Sequence, residues 1–423
     1  MKLLIKKVLI ADRKSPFFEQ TKDILIVDGN IKEIADEIDE IVEDTDETID
    51  IEGLIISQGW VDIFTDFAEP GYEYRESIDS GAAAAVAGGY SHVFVLPNTK
   101  PSIQNKPQVS YVVEKTRLLP VTVYPIGAVS KNIEGKDLAE MYEMQQAGAV
   151  AFSDGLHPVQ SSGLLLKALQ YINAFNGTII QVPIDKSIGS FGLMTEGIIS
   201  TQLGLPGSPA LSEVLIIKRD LDLLRYTESK LHITGVSTAE SVALIAAAKA
   251  EGLQVSCSVT PYHLFYCDED MVSYDTNLKV TPPLRNRSDM MALRAAVENG
   301  VVDSISSHHL PQNWDNKTCE FEYAANGMIG LQTSFAVVNH LLNNLSANRL
   351  ADLMGNNARR LFNLPDNRIE EGGIADFTLF TKEGDSVFTK EINKSKSANS
   401  AFFNVPLAGK VIGVYTKGKW NRN

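Results

Sequence analysis

Residues 59–71, GWVDIFTDFAEPG, are the stretch from which the fold prediction starts. The stretch begins with three apolar residues that indicate a buried strand, Trp60, Val61 and Ile63. It then turns polar at Thr65 and Asp66 and ends at the turn pair Pro70-Gly71. Because chemistry in a parallel β/α barrel lies at the C-terminal ends of the strands, an apolar strand with a polar end is typical of the first barrel strand.

The chain repeats this strand-loop-helix pattern from about residue 58 onward. Apolar runs predict strands at 59–64, 92–96, 121–126, 149–152, 178–182, 230–234, 253–259 and 301–306. Helical patterns lie between them at 76–88, 107–118, 136–147, 161–174, 208–226, 238–251 and 288–299, and two more follow at 332–343 and 349–362. This alternation predicts a (β/α)8 TIM-type barrel. A doubly wound open sheet is the alternative, but no glycine-rich phosphate turn follows any strand.

Both ends of the chain have β-type patterns instead. Residues 1–57 contain short strand-like runs, of which the last, 49–56, follows an acidic loop at 37–47 and leads into the barrel. Residues 365–423 return to the same pattern after the barrel, which spans 58–364. Neither end has enough apolar residues for a core of its own, so we expect the two ends to form one composite β-domain.

The composition excludes several classes of function. A formal net charge of −15 over 423 residues argues against binding to nucleic acid or to an anionic membrane. No stretch approaches the ~20 apolar residues of a membrane helix. The three cysteines have no paired metal-ligand spacing, and their odd number argues against a disulfide framework. We therefore expect a soluble protein of the cytoplasm.

Several ordered motifs carry a family resemblance that spans almost the whole chain. They are PGYEYRE (70–76), LPNT (96–99), HITGVST (232–238), VTPYHL (259–264), TPPLR (281–285) and GGIADFTLF (372–380). In this order they resemble the dihydroorotases of the amidohydrolase superfamily, of the type found in multifunctional complexes. The resemblance implies the barrel fold, and it implies a centre of one or two zinc ions that generates hydroxide for attack on a cyclic amide.

The metal positions that the resemblance implies are mostly replaced in this chain. The two histidines of the first strand fall on Phe64 and Asp66, and the histidines of the fifth and sixth strands fall on Val182 and Gly235. A one-residue slip on the fifth strand would offer Gln181 in place of Val182. We expect no stoichiometric zinc; the candidate ligands for an altered site are Asp66, Asp154 and His308. Asp154 could equally stabilise a turn.

The resemblance also implies substrate contacts and a catalytic acid/base. The family's aspartate acid/base on the eighth strand falls on His308, and its substrate-binding arginine falls on Ala68. Candidates for contact with a ligand in the pocket are Asn98, His263, Arg285 and His309. His232 corresponds to a family histidine that binds no metal, and it is expected to be a satisfied strand residue.

Three functions follow from this pattern. The first is a non-catalytic dihydroorotase-like protein of pyrimidine biosynthesis, a homo-oligomer that serves as a structural partner of aspartate transcarbamoylase, as the resemblance implies. The second is an active cyclic-amide hydrolase with an altered metal site. The third is a small-molecule binding protein that uses the pocket near Asn98, His263 and Arg285.

Overall fold

The structure is a computed structural model that describes residues 1–39 and 46–423. The N-terminal part contributes five strands: β1 (Lys2–Ile10), β2 (Thr21–Val27), β3 (Asn30–Ala35), β4 (Glu47–Asp50) and β5 (Leu54–Gln58). The predicted run 49–56 is therefore two strands, because Gly53, with a φ of +71°, turns the chain between β4 and β5. The predicted acidic loop at 37–47 includes residues 40–45, which lie outside the described residues.

The barrel follows without a linker. Its region contains β6 (Trp60–Thr65), β7 (Tyr90–Val95), β8 (Thr122–Gly127), β9 (Ala151–Phe152), β10 (Ile179–Gln181), β11 (Met194–Thr195), β12 (Gly207–Ser208), β13 (Leu231–Thr234), β14 (Val255–Val259) and β15 (Ser304–Ile305). β11 and β12 pair only with each other, and the other eight strands form one parallel sheet in chain order. A parallel bridge between Thr65 and His309 joins its two edges, and the Asp66 N–H donates to the His309 carbonyl at 2.9 Å. The predicted (β/α)8 barrel is confirmed.

The C-terminal strands return to the N-terminal ones. β16 (Phe377–Val387), β17 (Pro406–Thr416) and β18 (Lys419–Arg422) extend a sheet whose order is β18-β17-β16-β5-β1-β2-β3, with β4 beside β1. Buried residues from both ends share one core in this sheet, including Leu3, Ile56, Phe377 and Tyr415. The composite β-domain is thus confirmed, while its boundaries at 57 and 364 stay predictions.

Most helices around the barrel lie in the ranges that the sequence predicted, and three short ones, at 186–189, 198–203 and 261–265, were not predicted. The helices are α1 (Ile78–Ala87), α2 (Lys106–Thr116), α3 (Met141–Gln146), α4 (Ser162–Asn173), α5 (Lys186–Gly189), α6 (Ile198–Leu203), α7 (Leu211–Thr227), α8 (Ala239–Ala250), α9 (Pro261–Phe265), α10 (Arg287–Glu298), α11 (Ser334–Leu341), α12 (Ala347–Ala351) and α13 (Asn357–Leu361). Side-chain oxygens of N-cap residues accept a backbone N–H at the start of several of them, including Asn105, Ser161, Thr238 and Asn286. None of the helices in the described ranges is long and apolar enough to cross a membrane.

An apolar cluster fills part of the barrel interior and reaches the ends of the strands. This buried cluster joins side chains from successive strands and from the closing helix, including Phe64, Phe94, Ile180, Val182, Leu310 and Phe362. Parallel barrels are filled by layers of such side chains. Here the filling includes Phe64 and Val182, two of the positions at which the resemblance implies metal ligands.

Candidate active-site region at the barrel mouth

The centre of the barrel mouth is occupied by an aromatic stack. The Phe64 ring is fully buried and lies against the imidazole of His308, with ring centroids 4.5 Å apart and planes 29° apart. His308 Nε2 lies 2.8 Å from the hydroxyl of Thr234, at the end of β13. Offset aromatic pairs stabilise a core beyond the area that they bury. The stack and this hydrogen bond together connect β6, β13 and the segment that follows β15.

Gly235 provides the space for this stack. Its φ of +73° lies in the left-handed region, and an added Cβ would lie 2.7 Å from Cε1 of His308 and 3.3 Å from Cδ of Pro282. A side chain at position 235 would have to displace the imidazole. His308 therefore fills space next to the position at which the resemblance implies a ligand histidine.

His308 is held in its neutral form. Burial, followed by the nearby His263 and His232, lowers the pKa of His308 to about 3. Its Nδ1 atom is buried and has no hydrogen-bond partner among residues 1–39 and 46–423. A neutral imidazole could accept a proton, but the described residues around it are a phenyl ring, a threonine hydroxyl and a glycine.

The Asp66 carboxylate is buried and used within its own loop. It accepts the Ala68 N–H at 2.7 Å, and Arg75 Nη1 lies 3.3 Å from its second oxygen. Burial raises the pKa of Asp66, and the charge of Arg75 opposes that rise. The Arg75 guanidinium also lies over the Tyr72 ring, 4.8 Å from its centroid. The ion pair closes the loop that follows β6.

The Asp154 carboxylate binds the loop that follows β8, whereas the structural alternative predicted that it would stabilise the turn after its own strand. One carboxylate oxygen accepts the Ser130 N–H at 2.9 Å, and the other accepts the Ser130 hydroxyl in a short hydrogen bond. Burial raises the pKa of Asp154 against these two hydrogen bonds. Asp154 therefore connects the ends of β8 and β9.

The donors at the mouth do not fit the metal centre that the resemblance implies. Asp66, Asp154 and His308 do not form a group whose ligand atoms all lie within 4.8 Å; the described ranges contain one such group, Cys267, Asp268 and Glu269. On the fifth strand Val182 is buried, and Gln181 bonds both backbone groups of Val159, at 3.2 and 3.3 Å. Zinc needs three or four convergent nitrogen, sulfur or oxygen ligands, and these side chains do not converge.

Among the pocket candidates, Asn98 bonds the backbone of the loop that follows β9. Its amide nitrogen donates to the Asp154 carbonyl at 3.2 Å, and its amide oxygen accepts the Leu156 N–H at 3.1 Å. An added Cβ at Gly155 would lie 1.8 Å from that amide oxygen. Glycine at 155, with a φ of +59°, leaves room for this contact.

His263 and Arg285 are both buried and hydrogen-bonded. His263 contacts the Thr260 hydroxyl at 2.8 Å and the Pro282 carbonyl at 3.0 Å, and burial lowers its pKa to about 4. Arg285 is 3% exposed; its guanidinium donates to the Ser237 hydroxyl at 2.9 Å and lies 3.5 Å from the Glu213 carboxylate. Burial lowers the pKa of Arg285, and the Glu213 charge opposes the change.

Two further histidines are also satisfied within the fold. His309 Nε2 lies 3.3 Å from the Glu76 carboxylate, and its Nδ1 accepts the Gly330 N–H at 3.2 Å. The two nitrogens of His232 lie 2.8 and 3.0 Å from the hydroxyls of Ser256 and Ser258 on β14. His232 is the satisfied strand histidine that the sequence predicted. Contact with a ligand stays a prediction for all four pocket candidates, Asn98, His263, Arg285 and His309.

Sequence reasoning missed three charged residues that organise this region: Arg75, Glu76 and Glu213. Glu76 is fully buried and receives the Lys396 N–H at 2.9 Å and the Ser395 hydroxyl, which fixes the segment before β17 to the mouth. Arg75 and Glu76 end the PGYEYRE motif, whose charges follow a turn. Glu213 lies on a buried face of α7 among apolar neighbours. A carboxylate in an apolar stretch of a helix needs a partner when it is buried, and this pattern is the signal that could have predicted an ion pair.

Comparison with known proteins identifies the family. Residues 53–241 match the family model described as dihydro-orotase-like, and residues 220–421 match that of the amidohydrolase family. The chain is 38% identical over 422 residues to the dihydroorotase of Syntrophus aciditrophicus, covering 99% of both chains. It is 40% identical to the dihydroorotase of Ruminiclostridium cellulolyticum, over 97% of this chain and 96% of that protein.

Solved structures share the fold over the same length. The L-hydantoinase (dihydropyrimidinase) of Arthrobacter aurescens superposes with a TM-score of 0.87 at 23% identity, covering 99% of this chain and 95% of that one. At this identity the match establishes the architecture alone. The full-length similarity to the two bacterial dihydroorotases establishes more: this chain belongs to the dihydroorotase family of the amidohydrolase superfamily.

Proposed function

We propose that this protein is a non-catalytic member of the dihydroorotase family, of the multifunctional-complex type, that acts in pyrimidine biosynthesis. It serves there as a structural partner of aspartate transcarbamoylase and is itself a homo-oligomer of the cytoplasm. The observation that carries the proposal is the stack of Phe64 on His308 beside Gly235, which fills the barrel mouth with packed side chains. The stack supports a scaffold in which a former site has become core.

The energetics of amide hydrolysis support the loss of activity. Attack on a cyclic amide at neutral pH requires hydroxide, and bound zinc lowers the pKa of water from 15.7 to about 7. That change corresponds to about 12 kcal/mol. The donors available to an altered site are already engaged: Asp66 by Arg75, Asp154 by Ser130, and His308 by Thr234. We therefore propose that the protein binds no stoichiometric zinc.

Substrate recognition is weakened as well. Ala68 stands where the resemblance implies a substrate-binding arginine, and Arg75 is paired with Asp66. Arg285 is buried against Glu213. A carboxylate substrate without its bidentate arginine loses a contact worth about 1.5–3 kcal/mol. Weak dihydroorotate binding is expected to accompany the absent turnover.

A second candidate is an active hydrolase with an altered metal site. The two relatives that are 38% and 40% identical favour it, since both are dihydroorotases. His308 Nδ1 and Asp66 Oδ2 also lack a hydrogen-bond partner among the described residues, and both atoms are buried. A third candidate, a small-molecule binding protein, would use the region around Asn98, because His263 and Arg285 are enclosed.

Metal analysis combined with a hydrolysis assay separates the first two candidates. The purified protein is analysed for zinc by mass spectrometry and assayed for dihydroorotate hydrolysis with and without added zinc. The dihydroorotase of Syntrophus aciditrophicus, prepared in parallel, is the positive control. We expect well below one zinc per chain, because the candidate ligands do not converge as a zinc site requires. We also expect no turnover above background. One zinc per chain bound by Asp66, Asp154 and His308, with turnover, would establish the second candidate.

The structural role needs a separate test in the native cell. The tagged chain is purified under mild conditions, and aspartate transcarbamoylase activity and assembly size are compared in cells with and without the gene. We expect the transcarbamoylase to co-purify and its assembly to change on deletion. If it were absent from the purified material and its assembly and activity were unchanged, the scaffold proposal would be wrong.

A further inference from the structure

A cavity of about 450 Å³ opens at the rim of the barrel mouth, beside the filled centre. It is formed by the loops that follow β6, β7, β8 and β9. Its lining residues are Tyr72, Asn98, Thr99, Lys100, Pro101, Ser102, Gln104, Asn132, Ile133 and His157. The lining residues bring hydroxyl and amide groups, one lysine and one histidine. None of them is acidic, although the chain as a whole has a formal charge of −15.

The basic groups at this cavity have no carboxylate partner. His157 Nδ1 lies 3.1 Å from Nζ of Lys186, which places a second amine beside the cavity. Neither Lys100 nor Lys186 forms an ion pair with a carboxylate in the parts of the chain that the structure describes. Burial, followed by the charge of Lys186, lowers the pKa of His157. Burial lowers the pKa of Lys186, and the charge of the buried Asp154 opposes this change. Both carboxylate oxygens of Asp154 already accept hydrogen bonds from Ser130.

The cavity wall is held in an unusual backbone conformation. Asn132 and Ile133 both lie in the left-handed region, with φ of +52° and +59°. This region is sterically poor for a β-branched residue such as isoleucine. A reciprocal pair of hydrogen bonds holds the wall: Gln104 Oε1 accepts the Asn132 N–H at 2.5 Å, and Gln104 Nε2 donates to Asn132 Oδ1 at 2.8 Å. The wall is thus fixed before any ligand arrives.

We propose that this rim cavity binds a small anion that carries carboxylate or phosphate groups. Lys100 and Lys186 supply the opposite charge, and the hydroxyls of Tyr72 and Ser102 lie at the same opening as hydrogen-bond donors. None of the side chains that line the cavity carries a negative charge that would attract a cation. The volume admits a molecule of a few non-hydrogen atoms up to small-metabolite size. The site is outside the filled barrel centre, and it does not depend on whether the centre hydrolyses amides.

Isothermal titration calorimetry with simple probes tests this site on the full chain. The probes are inorganic phosphate and succinate, and the neutral diamide of succinate tests the need for charge. The site variant is Lys100→Gln/Lys186→Gln. The control is Lys32→Gln/Lys419→Gln, which makes the same change of net charge at exposed positions on the terminal sheet.

We expect at least one of the two anions to bind the unmodified chain while the diamide does not. The site variant should weaken this binding at least about tenfold, the effect of losing one hydrogen bond between charged groups. The control should change it by less than about twofold. Which anion binds more tightly distinguishes a phosphate-bearing ligand from a carboxylate. The proposal is wrong if neither anion binds, or if the site and control variants weaken binding equally, which would indicate general charge attraction.

Discussion

Replacing Gly235 by alanine tests whether His308 fills the space beside this position. The left-handed backbone at Gly235 costs a residue with a Cβ about 1–2 kcal/mol. The new Cβ would also lie 2.7 Å from Cε1 of His308, and overpacking of a core costs about 1–3 kcal/mol. The expected loss in free energy of unfolding is therefore about 2–5 kcal/mol.

Gly204→Ala is the matched control. Gly204 ends α6 with a φ of +66°, and an added Cβ there has no heavy atom within 4 Å. It should therefore lose only the backbone part, about 1–2 kcal/mol. Both variants are compared by urea unfolding, monitored by fluorescence and circular dichroism so that two-state behaviour can be checked.

A double-mutant cycle tests whether the His308 imidazole causes the extra loss at Gly235. In a His308→Ala background the imidazole is gone, so Gly235→Ala should cost no more than Gly204→Ala. The expected coupling between positions 235 and 308 is about 1–3 kcal/mol. Equal losses for the two glycine variants, or a penalty at Gly235 that persists without the imidazole, would refute the packing argument and reopen the mouth as a site.

Three further predictions concern the buried charges and the metal. Arg285→Ala should lower the free energy of unfolding by about 3–5 kcal/mol, because the buried Glu213 would lose the positive charge that faces it while it keeps its hydrogen bonds from Ser237 and Thr238; recovery in Arg285→Met/Glu213→Gln, measured by urea unfolding, would distinguish the charge from the shape. Burial lowers the pKa of His232 to about 3, below the unfolded value of about 6.5, so the contribution of His232 to stability is fully present above pH 6.5 and is lost as pH falls. His232→Gln should make the fall between pH 6 and 4 shallower by up to about 1.4 kcal/mol per pH unit, while Asp62 and Asp220, with pKa values raised to about 6, act equally in both proteins. Finally, dialysis against a strong zinc chelator should leave the melting temperature within about 1 °C of its value before dialysis, because a metal that is not bound cannot stabilise the folded state by mass action. A lower melting temperature that added zinc restores would contradict this prediction.

The sequence by itself determined the architecture of the chain. Apolar runs, helical patterns and turn residues are local features, and they predicted the eight barrel strands and the longer helices to within a few residues, but not the short elements α5, α6, α9, β11 and β12. The filling of the barrel mouth could also be foreseen in part, since a phenylalanine at 64 and a valine at 182 cannot bind zinc. The single predicted run at 49–56 was wrong because the turn at Gly53 divides it.

Only the tertiary structure decided which polar groups meet. Phe64 and His308 are 244 positions apart in the numbering, yet their rings stack because β6 and the segment after β15 are neighbours in the closed barrel. Arg285 is a surface-type residue by composition, and its pairing with Glu213 depends on how α7 packs beside the loop after β14. The partner of a charged side chain is set by long-range packing, which no local pattern records. The same motifs could therefore accompany either an open site or the packed mouth that the structure shows.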